Sequence, residues 1–452
     1  MKKLFLLSFT ALLLAVMPRV QAQEWVKDSI SVGPGAETMV FYGFKNQSQR
    51  TFFDNLWHVA FSVQPSQFPS NTLQGTTIRV NNGKEIRVFV APDSIGIDDF
   101  DNLDTTGMMQ DWEELIDSDS TWDIGALNSG LDMSLFPHEG GPDYGWGLYD
   151  MDSKHVESKG RIYVFIKDST IGFGPNRRVE RVLATQMYIE SLLWDTLYVF
   201  NHAIVGQPTT KQRVEINKKD YPNQHFAYFS FRTGQQNAVE PPKEEWDMLF
   251  TDFYTLAVSP NFGPPQFMRV TGTLSKKGTQ VYRVTDQHPD SVVLQVGLDF
   301  SEDKNTIGYD WKTHVGQGVY EYADSLAFIV RTTHDTYYKL HFTEFGGVNS
   351  GLMKFQFMEL DDDVLSVQEL RNHTNPLPVA VYPNPASGSF AVKLNLGEQA
   401  SVQLRDLSGK LVASQAIEGG VNHINIQTLP AGMYFVEVVQ AGHVSKHKLI
   451  VH

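Results

Sequence analysis

The chain repeats one plan. Residues 39–61 read MVFYGFKNQSQRTFFDNLWHVAF and residues 225–250 read HFAYFSFRTGQQNAVEPPKEEWDMLF. In each, an aromatic strand ends at Phe44 or Phe231 and a polar loop follows. Then comes W-x-x-x-F, Trp57 to Phe61 or Trp246 to Phe250. Self-similarity of this length means two copies of one folding unit, which restricts the architecture before any local reading. The register continues downstream. Ile78-Arg79-Val80 answers Met268-Arg269-Val270, and Gly145-Trp146 before Ile162–Ile166 answers Gly308 to Trp311 before Leu326–Val330. Val80 to Trp146 spans 66 positions and Val270 to Trp311 spans 41. The excess, 66 − 41 = 25, is close to the acidic stretch from Asp98 to Asp123, which holds ten carboxylates and no Lys or Arg. That stretch is expected to be an insertion in the first copy.

At 452 residues, two or three domains are expected. The expected order is a first β domain at 23–215 with the acidic insertion 98–123, and a second at 216–360. A linker over 361–378 and a small terminal domain over 379–452 follow. A net charge of −15 argues against nucleic acid, whose phosphates need a basic surface. Residues 1–22 read as a secretory signal: Lys2 and Lys3, an apolar run from Leu4 to Met17, and Val20-Gln21-Ala22 before the expected cleavage point. No other stretch approaches the ~20 apolar residues of a membrane helix, so no transmembrane segment is expected in the mature chain. With no cysteine in an exported chain, stability must come from apolar burial and sheet hydrogen bonds. The same absence excludes thiolate catalysis and thiolate metal sites.

The fold class is all-β. Short runs rich in Val, Ile, Phe, Tyr and Thr alternate with turn clusters. Thr77–Val80 and Ile86–Val90 around Asn81-Asn82-Gly83 are expected to form one hairpin. Leu326–Thr332 and Tyr337–Thr343 around His334-Asp335 are expected to form another. Alternation places Tyr338, Leu340 and Phe342 on one face of the last strand. Helical signal is weak and confined to Gln110–Ile116 and Met187–Trp194, the latter equally a buried strand. Trp57, Trp146, Trp246 and Trp311 are expected in cores, because large aromatics fill them.

After the Pro-containing linker, four alternating segments appear, VAVYPNPASGSFAVKL, VQLRDLSGKLV, LPAGMYFVEVV and KHKLIV. They predict a small β-sandwich. Tyr382-Pro383-Asn384-Pro385, Gly388, Asp406, Gly409-Lys410, Leu429-Pro430, Gly432-Met433-Tyr434 and Lys448-Leu449-Ile450-Val451 resemble the type A sorting domain of the type IX secretion system. The resemblance implies passage through the periplasm, engagement of the secretion machinery, and release or attachment at the cell surface.

The second copy resembles the HmuY-like haem-binding family. The residues that carry this are Tyr228-Phe229-Ser230-Phe231, Glu245-Trp246-Asp247 with Phe250, Gly308 to Trp311, the closing hairpin, and Gly351 to Leu360. The first copy matches more loosely, with His58 where the second has Asp247. The resemblance implies haem or a related small hydrophobic ligand held between loops of the second copy. Haem iron accepts His, Met, Tyr or Cys. Position in the second half nominates His288 and His314 as axial ligands, with Met268 in reserve. The alternatives are a structural or adhesive surface protein that keeps the fold without haem, and an uncharacterised hydrolase. No G-x-S-x-G elbow, P-loop or G-x-G-x-x-G after a strand occurs, so no enzyme is expected. Asp117-x-Asp119-x-Thr121-x-Asp123 has oxygen spacing that suits Ca²⁺ but lacks the Gly and closing Glu of an EF-hand. The acidic stretch is therefore expected to be a solvated loop, and no metal site is assigned.

Overall fold

The computed structural model describes residues 24–65, 75–133, 141–171, 176–257, 266–295, 297–360, 379–406, 409–440 and 443–451. The signal segment 1–22 and the linker 361–378 lie outside the described residues. The chain is all-β, as expected, and its strands sort into two related units and a tail.

The first unit is contiguous. Its larger sheet runs in the order Gln207–Asn217, Leu197–Ile204, Arg178–Leu193, Tyr163–Ile171, Arg87–Val90, Glu113–Leu115. Its smaller sheet runs Gln235–Asn237, Phe226–Ser230, Val59–Ser62, Ile78–Val80. The second unit is split in sequence. Its larger sheet runs Val26–Ser31, Leu352–Leu360, Tyr337–Phe345, Ala327–Arg331, Gln280–Val284. Its smaller sheet runs Gln266–Ser275, Met248–Ala257, Thr38–Gly43, Ser48–Phe53. The boundary drawn at 215/216 thus falls inside the first unit's sheets. Strands between 59 and 237 form the inserted unit, and strands 26–53 join 248–360 to form the split one.

Loop closure supplies the reason. Leu197–Ile204 turns through Val205-Gly206 directly into Gln207–Asn217, and Gly206 takes the positive φ of 73° that the tight turn needs. Pairing with the neighbour in sequence closes a very short loop at little entropic cost. The strands that follow are carried along, so Phe226–Ser230 pairs with Val59–Ser62. The leading strands of the first copy then occupy the equivalent places beside Leu352–Leu360 and Met248–Phe250. Each copy lends its first three strands to the other.

Two local expectations are corrected. Phe61 faces Ile78 across the inserted unit's hairpin, and Phe250 faces Thr273 in the split unit. The counterpart of Ile78 is therefore Thr273, not Met268. The split unit's hairpin arm is longer, and matching the triplets by spacing slipped by that extra length. Asn81-Asn82-Gly83 is also not a hairpin tip. Ile78–Val80 lies in the smaller sheet and Arg87–Val90 in the larger, with a 3-10 turn at Asn82–Lys84 crossing between them. Gly83 is required because a Cβ there would sit 2.2 Å from the Asp252 carbonyl oxygen. The hairpin of Ala327–Arg331 with Tyr337–Phe345 forms as expected, with Tyr338, Leu340 and Phe342 in the core. Met187–Leu193 is strand rather than helix.

Each unit packs a core between its two sheets. Phe61, Trp146, Phe200 and Phe229 fill the inserted one, and Tyr42, Phe250, Trp311 and Phe355 the split one. Alternation turns the neighbours of these residues outward. Met39, Phe41, Ala60, Tyr228 and Leu249 meet Trp57 and Trp246 in a third cluster along the seam between the smaller sheets. All four recurring tryptophans are buried.

The repeat braces the strand exchange twice in one way. Asp247 donates its N–H to the Tyr42 carbonyl at 2.7 Å, and its Oδ2 accepts the Phe44 N–H at 3.0 Å. His58 donates to the Phe229 carbonyl at 2.8 Å, and its Nδ1 accepts the Phe231 N–H at 3.1 Å. The acceptor role requires Nδ1 to be unprotonated. Burial, then the positive charges of Arg232 and Lys167, push the ring from 6.5 down to about 4. The folded state binds fewer protons than the unfolded state between those values. This stabilisation is full above pH 6.5 and lost as pH falls toward 4. His58→Ala should cost roughly 1–3 kcal/mol at pH 7, because it orphans a buried N–H. His58→Asn keeps an acceptor and should lose less stability than wild type between pH 7 and 5. Urea unfolding at both pH values measures this.

Candidate functional site

The three residues nominated for haem lie on separate elements. His288 heads the 3-10 turn Pro289–Ser291, where its Nδ1 accepts the Asp290 N–H at 3.3 Å. Its side chain is 70% exposed. His314 is exposed on the hairpin of Lys312–Gly316 with Val319–Tyr322. Its Nε2 accepts the Gly318 N–H at 3.3 Å, and its ring lies 5.1 Å from Tyr320. Met268 is half-buried opposite Thr255 on the split unit's smaller sheet. Among the described residues, no hydrogen bond, ion pair or ring contact joins any two of the three. The space between the sheets is filled. Trp311 stacks on Phe342 at 4.1 Å, Phe250 on Phe355 at 5.5 Å, and Phe61 on Phe200 at 5.0 Å.

What the structure does bring together is a polar cluster at the seam between the units. The Lys84 ammonium donates to the Ala36 carbonyl and lies 3.5 Å from Asp54 and 3.8 Å from Asp252. Asp54 also accepts from Trp57 Nε1, Asn81 Nδ2 and the Thr251 hydroxyl, each at 3.2 Å. Burial raises both carboxyls against the pull of Lys84, and Asp252 reaches about 6. Beside them is a cavity of about 50 Å³, lined in part by Trp57, Arg79, Trp122 and Tyr228. Small-molecule sites usually offer roughly 300–1,000 Å³. The cluster holds its charges in place beside a cavity well below that size.

The end of the acidic stretch, Asp117 to Asp123, supplies part of this cluster and is buried or half-buried, while the seven carboxylates from Asp98 to Glu114 are exposed to solvent as expected. Asp117 accepts the N–H groups of Val80 at 3.0 Å and Ala126 at 2.8 Å and pairs with Arg79 at 3.1 Å. Asp119 is buried and accepts from the Thr255 hydroxyl at 2.8 Å. Asp123 pairs with Lys277. Lys304 donates to the carbonyls of Ser118 at 2.6 Å and Thr121 at 2.9 Å and lies over Trp122. The oxygens spaced for Ca²⁺ therefore diverge to separate protein partners. Sequence missed this clasp because its basic partners lie far away along the chain: Lys277 is 154 positions from Asp123 and Lys304 is 186 from Ser118. Ten acids without a base in the stretch was the one available signal.

A second small cavity, about 10 Å³, lies beside Phe41, His225, Glu240 and Trp246. Glu240 accepts the His225 N–H and the Phe226 N–H, each at 3.1 Å. Burial pushes its carboxyl up to about 8, opposed by these N–H groups, Tyr228 and Arg79. Its folded value exceeds its unfolded one. The contribution is therefore full below the ordinary Glu value and lost as pH rises through 8. Wild type should lose a few kcal/mol more than Glu240→Gln between pH 5 and 8, since one pKa unit is about 1.4 kcal/mol. Equal losses in urea unfolding would show that Glu240 is ionised in the folded protein.

Residues 380–452 match the family described as the secretion system C-terminal sorting domain. The tail is one five-stranded sheet curled around Phe390, Val436 and Leu449, not the two-sheet sandwich expected from its alternating segments, because additional pairing of Ala380–Ser387 with Ser389–Arg405 brings the sheet round on itself. No curated protein matches the chain. Among solved structures, the chain is similar at 14% identity to PorZ, described as an essential bacterial surface component of the type-IX secretion system of human oral-microbiomic Porphyromonas gingivalis. The TM-score is 0.14, and the match covers 67% of this chain and 44% of that one, less than half its length. The sorting domain sets the route: the protein is exported by type IX secretion and is secreted or held at the outer surface.

Proposed function

We propose that the body is a structural or adhesive module displayed by type IX secretion, acting through its outer surface and not through an enclosed small-molecule site. The observation that carries this reading is the aromatic packing between the sheets of both units, described above, which leaves those cores filled by side chains. Exposed apolar residues on projecting strands support it. Ile171, Val179 and Val182 lie on the long hairpin of the inserted unit at 40%, 69% and 42% exposure. Val315 and Val319 lie on the two-stranded hairpin at 50% and 56%, with Gly347 against Gly318 and Tyr320. No catalytic role is proposed, since the buried carboxylates Asp54 and Asp252 face Lys84 and not an open cleft.

Capture of haem or a related porphyrin is the second reading, carried by the family resemblance of the second copy. A haemin titration separates the two. The structural reading expects no saturable Soret shift at micromolar protein. A saturable shift abolished by His288→Ala with His314→Ala, or by adding Met268→Ala, would overturn it in favour of haem capture.

A further inference from the structure

The tail carries buried residues on the wrong face of its sheet. Phe390 and Val392 point into the tail's own core, as do Leu449 and Val451. Alternation turns Ala391, Lys448 and Ile450 to the opposite side, where a free sheet would leave them in water. Yet Ala391 is 2% exposed and Ile450 4%. Tyr382, which pairs with Ala391, joins it in the core cluster of the inserted unit. On the same face, Lys448 reaches the carboxylate of Asp119 at 3.5 Å. Lys448 also acts on the carboxyl of Asp303, and Lys446 on that of Asp299.

Asp119 comes from the inserted unit and Asp299 and Asp303 from the split one, so the lysine-bearing strand spans the seam. We propose that the sorting tail is docked on the body, its back face covering the inserted unit's core and Lys448 seated among Asp119 and Asp303. The charges of Asp119, Lys448, Glu302 and Lys304 all bear on the Asp303 carboxyl. The pocket selects a cation because burial and mutual repulsion make two neighbouring carboxylates costly without one. It selects this strand because Ile450, two residues on, lies on the same face and is likewise covered.

The test uses the full chain with a protease recognition sequence inserted after Asn372. After cleavage, the tail fragment is expected to co-elute with the body on gel filtration. Lys448→Glu, with an unchanged circular dichroism spectrum before cleavage, should weaken retention about tenfold. Lys448→Arg, which keeps the charge, should retain the fragment as wild type does. A wild-type tail that elutes alone, or a Lys448→Glu tail retained like wild type, would overturn the proposal.

Discussion

Everything in the body follows from two small sheets that are apolar on both faces. In Thr38–Gly43, Val40 and Tyr42 enter one core while Met39 and Phe41 enter another. In Phe226–Ser230, Ala227 and Phe229 face one way and Phe226 and Tyr228 the other. Such a sheet needs cover on both sides, because each exposed large side chain forfeits roughly 1.5–3 kcal/mol of burial. Each unit's larger sheet supplies one cover and the other unit supplies the second. The two units are therefore one body whose seam is a core in its own right.

Each unit's side of the seam is built by the same contact. Phe41 meets Trp246 edge-on at 4.9 Å, and Tyr228 meets Trp57 edge-on at 5.2 Å. These are the repeat's own conserved-in-register positions, so the aromatic strand and the W-x-x-x-F motif exist to find one another. The strand exchange changes which copy supplies each partner and leaves the contact intact. His58 and Asp247 differ in chemistry but share a task, since each presents an acceptor to the N–H of a strand-ending phenylalanine.

Departures from symmetry concentrate where the acidic insertion enters. Asp117 and Asp119 leave water only because Arg79, backbone N–H groups and the Thr255 hydroxyl receive them. Buried carboxylates without such partners would protonate or unfold the region. The insertion thus locks the seam from the side, and the same Asp119 reaches the tail through Lys448. One residue ties inserted unit, split unit and tail together.

Much of the fold was legible in the sequence. Alternating strands, the repeat, the four core tryptophans and the tail's turn-separated strands all follow from local periodicity, which a linear text records directly. The candidate site was not legible in the same way. Lys84 meets Asp252 and Lys304 meets Ser118 across more than 160 positions of sequence, and nothing local marks such pairs. His288 and His314 illustrate the limit: the loop position of His288 could be read, but not that His314 lies on a strand or that each ring accepts a hydrogen bond from its own turn. The sequence by itself determined an exported all-β chain with a duplicated strand pattern. Tertiary structure alone decided which copy each strand completes, because a short turn at Gly206 made the nearest edge the cheapest partner to reach.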